Sequence, residues 1–318
     1  MQIGMIGLGR MGANLVRRLL RHGHTAVVHD ANPDTIGTLA QDGAQGASGL
    51  DELVAALPAP RVVWVMLPAG APTEDTITRL GKRLEPGDTV IDGGNTFYKD
   101  DVRRAAALRA RGIDYLDIGT SGGVHGLERG YCLMIGGPDA AVRRLDPLFA
   151  ALAPGGEKPP AGADPRPAQG YVHVGPAGAG HYAKMVHNGI EYGMMQALAE
   201  GLHLLHAKRT AATDSYDIDV AAVAQAWRRG SVVSSWLLDL AAEALTHDGE
   251  LTDFAGAVGD SGEGRWTVDS AVEHGVPVPV LAAALFARFR SQQQDSYADR
   301  VLSALRHGFG GHGLGVRR

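Results

Sequence analysis

The chain has 318 residues, of which 45% are hydrophobic and 20% charged, with a net charge of −5 and a single cysteine, Cys132. This length predicts two domains, and the composition is typical of a globular protein whose core needs no disulfide or structural metal. The charge balance argues against nucleic acid or an anionic membrane as a partner. No signal peptide or long apolar span is evident, so we expect a cytoplasmic protein.

A glycine-rich motif follows the first predicted strand, at residues 3–6. Its residues are Gly7, Leu8, Gly9, Arg10, Met11 and Gly12. A predicted helix at 13–21 and a strand at 25–29 come next, and Asp30 ends that strand, 18 residues beyond Gly12. In a Rossmann-type fold the glycines let the backbone approach a pyrophosphate, and an acid at this spacing binds the adenine ribose. The order of these elements therefore predicts a NAD(P) site formed by the six motif residues and Asp30.

The residues around Asp30 also indicate which dinucleotide is preferred. A carboxylate accepts hydrogen bonds from a ribose 2′-hydroxyl and repels a 2′-phosphate. No arginine follows Asp30 at positions 31–33. The sequence therefore predicts a preference for NAD, although Arg10 is a nearby cation that would allow NADP to bind.

Further strands are predicted, and each ends in small or polar residues. They span 61–67, 89–92 and 113–118. Asn95 follows the second of these strands, and Ser121, Gly122 and Gly123 follow the third. The carboxyl ends of parallel strands form one edge of an open sheet, where ligands bind. Asn95 and the segment 121–123 could each be only part of a turn or loop, but their shared position at one sheet edge favours contact with a ligand. At Asn95 we expect contact with the cofactor as well as with the substrate.

A polar stripe on a long helix predicted at 178–205 is the most informative feature. Its members stand at i, i+3, i+4 and i+7, and they are Lys184, His187, Asn188 and Glu191. On one helix face they offer a candidate base, a candidate acid and two hydrogen-bonding groups, spread over about 10 Å. A solvated helix face is the alternative, but the flanking residues are small or apolar, and His, Asn and Gly are poor helix formers. We therefore interpret the stripe as a site for a small polar substrate.

The two halves of the chain predict different architectures. Residues 1–174 predict a Rossmann-type α/β domain that binds NAD(P), with a Pro/Gly-rich surface loop at 153–170. Residues 175–318 have only helical spacing and predict an all-α domain for substrate binding and dimerisation. The tail at 306–312 is too rich in glycine for a helix, and we expect no metal site, because the histidines are scattered.

Together these motifs resemble the 6-phosphogluconate dehydrogenases, the decarboxylating enzymes of the pentose phosphate pathway. The matching segments lie at 7–12, 92–95, 121–123, 178–192, 264–267, 286–288 and 306–312. The resemblance covers nearly the whole chain outside the Pro-rich loop. The chain is long enough for only one helical half-domain, where other members have a duplicated pair, so it is similar to the short form of the family. It implies oxidative decarboxylation of 6-phospho-D-gluconate to D-ribulose 5-phosphate and CO₂, with reduction of NAD(P)⁺.

The resemblance also implies a role for each site residue. Lys184 would be the general base and Glu191 the general acid. The substrate would contact Asn95, Ser121, Gly122, Gly123, His187, Asn188, Tyr192, Arg288, Arg306 and His312. Of these, Tyr192, Arg288 and Arg306 would bind the phosphate. In the family, the residues that match Arg306 and His312 come from a neighbouring subunit's tail. We therefore expect a homo-oligomer, dimer or tetramer, with shared active sites.

The chemistry can be followed from these groups without a metal. A neutral lysine, favoured by burial, can remove the hydroxyl proton while hydride leaves to the nicotinamide. The resulting β-keto acid loses CO₂ readily, and the protonated lysine can donate to its carbonyl oxygen. The enediol then needs an acid at its other end. Glu191 suits that step because it lies two turns beyond Lys184.

Some positions depart from the long forms of the family. Ser261 and Glu263 lie where long forms carry lysine and threonine, and Ala69 lies where they carry lysine. A glutamate beside a phosphate would repel it, so either Arg265 compensates or the loop is arranged differently.

Two other functions are alternatives. A β-hydroxyacid dehydrogenase acting on a small unphosphorylated acid would share the Rossmann half and Lys184, but it would need neither Glu191 as an acid nor Arg288 and the tail. A non-catalytic nucleotide sensor would not require the intact set of Lys184, Asn188 and Glu191.

Overall fold

The computed structural model describes residues 1–156, 159 and 161–310. The chain divides into two compact units, Met1–His187 and Asn188–Arg318, and one long helix belongs to both. The domain boundary after residue 174 stays a prediction. Among the described residues, no helix is both long and apolar enough to cross a membrane.

One sheet of eight strands forms the centre of the first unit. The strands are β1 (Gln2–Ile6), β2 (Thr25–His29), β3 (Gln45–Gly46), β4 (Val62–Val65), β5 (Thr89–Asp92), β6 (Asp114–Ser121), β7 (Cys132–Gly136) and β8 (Tyr171–Gly175). They lie in the order β3-β2-β1-β4-β5-β6-β7-β8; β1 to β6 are parallel, and β7 and β8 run the opposite way. The strand order reverses between β1 and β4, which is where a Rossmann-type sheet binds its ligand.

Helices pack on both faces of this sheet. They are α1 (Arg10–Arg21), α2 (Pro33–Gln41), α3 (Leu50–Ala55), α4 (Ala71–Gly81), α5 (Tyr98–Arg109), α6 (Gly126–Arg129), α7 (Asp139–Leu152) and α8 (Arg166–Gln169), with a 3-10 turn at Gly123–His125. Every residue of β4 and β5 is buried, as expected for central parallel strands. Alternate residues of β4 join different apolar clusters, Trp64 on one face and Val63 on the other. The predicted Rossmann-type α/β class is confirmed.

Two strands of this sheet were not predicted from the sequence. They are β3, which has only two residues, and β7, which lies between glycine-rich segments. The strand now called β6 was predicted to end at residue 118, whereas it continues to Ser121. The extension exists because Gly119 to Ser121 pair with the antiparallel strand β7, and Ser121 lies opposite Cys132.

The described residues of the second unit form helices joined by loops, with no strand among them, which confirms the predicted all-α class. α9 (Ala179–Arg209) enters it, followed by α10 (Val220–Trp227), α11 (Trp236–His247), α12 (Glu263–His274), α13 (Pro279–Ser291) and α14 (Tyr297–Gly310). Side chains of Asp219 and Ser235 cap α10 and α11 by accepting hydrogen bonds from backbone amides of their first turns. The unit contains two small apolar clusters, one with the buried Leu238 and the other with the buried Leu285.

The prediction of a non-helical tail is wrong where the structure describes it. Arg306 and Phe309 lie within α14, which continues to Gly310. Ser296 starts this helix, since its Oγ accepts a hydrogen bond from Asp299 N at 3.2 Å. Each glycine disfavours a helix by about 1 kcal/mol, but extending an existing helix is far easier than nucleating one. His312 lies outside the described residues.

Within the first unit, the start of α9 lies in direct backbone contact with the sheet. A Cβ on Gly180 would fall 2.5 Å from the Met134 carbonyl oxygen and 2.6 Å from Gly136 N, and closer still to the Asp117 carbonyl. A Cβ on Gly119 would lie 2.9 Å from Lys184 Cγ. Only glycines allow α9 to approach β6 and β7 this closely.

Gly180→Ala is expected to lower the free energy of unfolding by roughly 1–3 kcal/mol, because the added methyl overlaps backbone atoms that cannot move aside. The matched control is Gly201→Ala on the same helix, where an added Cβ meets nothing within 4 Å. The free energy of unfolding of this control should be unchanged or should rise by up to about 1 kcal/mol. Urea unfolding followed by circular dichroism measures both variants, and equal stabilities would contradict the close contact.

Candidate active site

The glycine motif forms a tight turn between β1 and α1. Gly7 has φ +93°, which side-chain-bearing residues rarely adopt, and a Cβ there would collide with the Met66 carbonyl. Gly12, in the first turn of α1, packs against the Gly7 carbonyl with no room for a side chain. A Cβ on Gly9 would meet nothing within 4 Å, so the turn is open at that point. An open turn at the N-terminus of a 12-residue helix is suited to a dinucleotide pyrophosphate.

Asp30 lies against the same turn. Its Oδ2 accepts a hydrogen bond from Leu8 N at 2.6 Å, and its Oδ1 accepts one from Asn32 N at 2.8 Å. These two bonds fix the carboxylate at the end of β2, beside the glycine motif. Arg10 is exposed on the first turn of α1, and Met11 is half-buried next to it. The residues present at this turn therefore fit a nicotinamide dinucleotide.

A second turn presents Asn95 at the end of β5. Asp92 is fully buried there, and its Oδ1 accepts a hydrogen bond from Gly94 N at 3.0 Å while its Oδ2 accepts one from Thr96 Oγ1 at 2.9 Å. The carboxylate thus ties the turn back onto the strand. Asn95 itself is exposed and makes no hydrogen bond to any other described residue, so its amide is available to a ligand.

A buried carboxylate also fixes the start of α9. Asp117, on β6, accepts hydrogen bonds from Gly178 N at 2.7 Å and His181 N at 2.8 Å. These amides would otherwise be unsatisfied at the helix N-terminus, where a negative charge is favourable. Lys184 follows one turn later and is only 7% exposed. The predicted base is therefore held in a buried position by the sheet beneath it.

Ser121 and His187, which the sequence placed in one site from separate segments, do meet in the structure. The Ser121 Oγ lies 3.2 Å from His187 Nε2. Ser121 is the last residue of β6, and Gly122, with φ +143°, turns the chain away immediately after it. Gly123 then begins a 3-10 turn. This pair connects the sheet edge to the polar stripe of α9.

The polar stripe itself lies on one unbroken helix. α9 runs from Ala179 to Arg209 without interruption, so residues 184, 187, 188 and 191 share a face as predicted. Asn188 and Glu191 are half-buried, whereas Lys184 is buried. The exposure of the stripe therefore increases from the proposed base towards the proposed acid.

Tyr192 and Arg288 come together in the second unit. The Arg288 guanidinium lies 3.5 Å from the centre of the Tyr192 ring, and its Nη1 donates a hydrogen bond to the Gly259 carbonyl at 2.7 Å. Tyr192 is 5% exposed and packs against Leu285 and Ala284 of α13. A stacked guanidinium held by a rigid aromatic ring is a suitable group for an anion.

A second arginine, Arg265 in the first turn of α12, pairs with an acid of the preceding loop. Asp260 pairs with Arg265, accepts a hydrogen bond from Tyr192 Oη at 3.3 Å, and accepts another from Gly262 N at 3.1 Å. Burial opposes the charge of Asp260, but the hydrogen bonds from Arg265 and Gly262 outweigh it and hold the pKa of this carboxyl below its usual range. The Arg265 guanidinium also lies 4.2 Å from the centre of the Phe289 ring.

Glu263, the departure that raised the question of phosphate repulsion, is buried at the first turn of α12. It is 2% exposed, and its Oε2 accepts a hydrogen bond from Ser261 Oγ at 2.5 Å. Oε1 has no hydrogen-bond partner among the described residues. Ser261 and Glu263, which the family resemblance set against a lysine and a threonine, are therefore hydrogen-bonded to each other.

The remaining predicted substrate residues are not brought into a site within the described chain. Arg306 is exposed on α14 and makes no ion pair or hydrogen bond with another described residue. His312 lies outside the described residues. The sequence analysis also missed two acids that organise the site, Asp117 and Asp260. A signal for Asp117 was present, since it is the one charged residue inside the apolar run 115–118.

Comparisons with known proteins were made against family models, curated sequences and solved structures. Residues 2–158 match the model described as the NAD binding domain of 6-phosphogluconate dehydrogenase, and residues 180–308 match that of the 6-phosphogluconate dehydrogenase C-terminal domain. A relative from Haloferax volcanii, named 6-phosphogluconate dehydrogenase, NAD(+)-dependent, decarboxylating, is 42% identical over 313 residues, covering 98% of each chain.

Two solved structures are also similar. The Plasmodium falciparum 6-phosphogluconate dehydrogenase, studied with its cofactor NADP⁺ and its substrate 6-phosphogluconate, has a TM-score of 0.80 and 28% identity. This chain is covered completely and spans 66% of the length of that enzyme. The Mycobacterium tuberculosis 3-hydroxyisobutyrate dehydrogenase has a TM-score of 0.68 at 23% identity, with coverage of 96% and 99%, and this likeness concerns the fold alone.

Proposed function

Because the chain belongs to the 6-phosphogluconate dehydrogenase family, we propose that it converts 6-phospho-D-gluconate into D-ribulose 5-phosphate and CO₂ with reduction of NAD(P)⁺. The observation that carries this proposal is the buried Lys184, seated on Gly119 of β6, with the Ser121–His187 pair one turn farther along the same helix. The β-hydroxyacid dehydrogenase alternative has less support, since its solved representative resembles this chain only in fold. The single cysteine supports a reducing, cytoplasmic location.

The first step is oxidation of the substrate hydroxyl at C3. Lys184, as the neutral amine, takes the hydroxyl proton while the C3 hydride leaves. A nicotinamide dinucleotide bound at the glycine turn supplies the hydride acceptor. The product is a β-keto acid, and Lys184 carries the proton.

Decarboxylation and reprotonation complete the reaction. The C1–C2 bond breaks as CO₂ leaves, and its electron pair moves through C2 towards the C3 oxygen, which takes a proton from Lys184. Glu191 donates a proton to C2 of the resulting enediol, and the ketose product forms as the enol hydroxyl loses its proton to Lys184. Two turns of helix separate the two residues, so the base can serve the C3 oxygen while the acid serves C2.

The remaining predicted residues orient the substrate. Asn95 and Ser121, with the amides of Gly122 and Gly123, would hold the sugar acid at the sheet edge, and His187 and Asn188 would hold it from α9. Tyr192 and Arg288 would bind the phosphate, because their stacked arrangement presents a fixed cation. Asp260 is paired with Arg265, so its charge does not face the phosphate unpaired, whereas Glu263 is buried and hydrogen-bonded to Ser261 through one of its two oxygens.

The cofactor preference proposed for this chain is NAD. Asp30 is fixed beside the glycine turn by Leu8 N, in a position to accept hydrogen bonds from a ribose. No arginine follows it at positions 31–33 to bind a 2′-phosphate. The family includes enzymes named for each dinucleotide, so NADP use at lower efficiency is compatible with this arrangement.

A homo-oligomer, dimer or tetramer, is proposed as the active form. α14 carries the large apolar side chains Leu302, Leu305 and Phe309, which are 60%, 57% and 78% exposed in the single chain. Apolar groups clustered on one helix are expected to be covered by another surface. Arg306 lies among them without an ion partner in the described residues, which supports the proposal that the partner subunit's Arg306 and His312 complete each phosphate site.

Lys184→Met and Glu191→Gln test the acid and base assignments. Each should reduce kcat/KM for 6-phosphogluconate by about 10²- to 10⁴-fold, because a positioned proton-transfer group is lost. Glu191→Gln should keep a burst of NADH, since oxidation precedes the step that needs the acid. Lys208→Met, near the exposed end of α9, is the matched control. A Lys184→Met enzyme with more than about a tenth of wild-type kcat/KM would disprove the base assignment.

Asp30→Ser tests the cofactor preference. The wild type should have the higher kcat/KM with NAD, and the variant should lose most of that advantage, because the carboxylate that repels a 2′-phosphate is gone. Steady-state kinetics with both dinucleotides at saturating 6-phosphogluconate give the ratio. A wild-type ratio that favours NADP by about tenfold, or 1.4 kcal/mol, would contradict the argument.

Mixing two inactive variants tests the shared site. Arg306→Ala and Lys184→Ala chains should each be inactive or impaired alone, but a mixture should regain activity, because one hybrid site carries both native residues. Subunit exchange is verified by native mass spectrometry of isotopically labelled chains. Verified exchange without recovered activity, or a fully active monomer in light scattering, would refute the proposal.

A further inference from the structure

His181 is a buried histidine whose role the reaction scheme leaves unexplained. It lies in the first turn of α9, three residues before Lys184, and is 2% exposed. Its Nδ1 lies 2.8 Å from Oδ2 of Asp101, a fully buried residue of α5. Its Nε2 is buried and has no hydrogen-bond partner among the described residues.

Hydrogen bonds from Asp101 continue to the turn that presents Asn95. Oδ1 of Asp101 accepts a hydrogen bond from Tyr115 Oη at 2.7 Å, and that hydroxyl lies 3.3 Å from Oδ2 of Asp92. Asp92 in turn holds the Asn95 turn and pairs with Arg104 Nη1 at 3.1 Å. Two segments that carry proposed site residues, the Asn95 turn and the start of α9, are therefore joined through Asp101.

The network is made of charges buried together. The charged groups that act on His181 are Asp101 from α5, Asp92 from β5 and Asp117 from β6. Tyr115 and Arg104 contact Asp101 and Asp92. Burial opposes a charge on the imidazole, but the attraction of Asp101 and the other two carboxylates outweighs it and raises the pKa of His181 to about 9. This direction favours the charged imidazole at neutral pH, whereas burial raises the pKa of Asp101 and opposes the charge of its partner.

Asp92, Asp101 and His181 could also be considered as metal ligands, since their donor atoms lie within 4.8 Å of one another. The guanidinium of Arg104 already lies in this group, 3.1 Å from Asp92 and 3.9 Å from Asp101. A divalent cation would have to sit beside that fixed positive charge. The cluster is better described as an ion-pair network than as a metal site.

We propose that His181 is a positioning residue, whose charged pair with Asp101 sets the start of α9, and hence Lys184, relative to the Asn95 turn. A neutral amide could make the one hydrogen bond that the His181 side chain makes, so what the imidazolium adds is charge. A buried ion pair adds little net stability but disfavours arrangements in which either charge is unpaired. Lys184 is one turn away, so a small tilt of the first turn would misplace its amine, and a 1 Å misplacement lowers a rate by about 10²-fold.

His181→Asn is the first test, and it rests on the proposed reaction of Lys184. The variant should bind NAD within about threefold of the wild type, because the glycine turn is untouched, while kcat falls by about 10²-fold. His22→Asn, at the end of α1, is the matched control. Wild-type kcat in His181→Asn would overturn the proposal.

The double variant His181→Asn/Asp101→Asn separates charge from hydrogen bonding. The single variant leaves Asp101 with Arg104, 3.9 Å away, as its nearest cation in place of an imidazole at 2.8 Å, and it should unfold at lower urea than the wild type. The double variant should recover much of that stability but keep the low kcat, because a neutral pair does not fix the helix as an ion pair does. Full recovery of kcat in the double variant would overturn the proposal, even if the single variant does not fold.

The charge state is measured independently of activity. In ¹⁵N-imidazole NMR, the His181 signal is identified by its absence from the spectrum of His181→Asn. It should remain that of a doubly protonated ring until the pH approaches about 9. Since its pKa is raised above the ordinary 6.5, this group stabilises the fold fully below pH 6.5, and the contribution is lost as the pH rises through about 9. A neutral ring at pH 7 would overturn the proposal. If the wild type does not turn over 6-phosphogluconate, the proposed function fails while these measurements still report on His181.

Discussion

The structure of the first unit depends on how closely α9 approaches the sheet. Gly119, Gly136 and Gly180 remove the side chains that would separate them, and the Asp117 carboxylate satisfies the amides at the start of the helix. A helix that is held by backbone contact and by a buried cap has little freedom to shift. That restriction allows a buried Lys184 to keep one position above β6, which a base needs if it is to meet a hydroxyl at hydrogen-bonding distance.

Buried carboxylates perform a second organising task in this unit. Asp92 ties the Asn95 turn to β5, Asp117 ties α9 to β6, and Asp101 lies between them. Each such group would be costly to bury alone, and each is compensated by backbone amides, Arg104 or His181. The result is a site whose separate segments are positioned by directional interactions, which an apolar core would not provide.

In the second unit, two acids, Asp260 and Glu263, are hydrogen-bonded to specific partners. Asp260 pairs with Arg265 and accepts a hydrogen bond from Tyr192, and Glu263 accepts one from Ser261. Arg288 is stacked on Tyr192 and donates a hydrogen bond to the Gly259 carbonyl, so it is not neutralised by either acid. The exposed apolar side chains of α14 point to a surface that a single chain does not bury.

Much of this protein was determined by local sequence. The glycine motif with Asp30 predicted the Rossmann-type half, and helical spacing predicted the second half and the polar stripe of α9, because each depends on residues within a few turns or one strand–helix unit. Strand β7, the full length of β6 and the helix α14 were missed, since pairing with a distant strand and propagation from a capped start override local propensity. The roles of Asp117, Asp101 and His181 were also beyond the sequence. Their partners lie 61 to 80 positions away in the chain, and only the tertiary fold brings such groups within hydrogen-bonding distance and removes the water that would weaken their interaction.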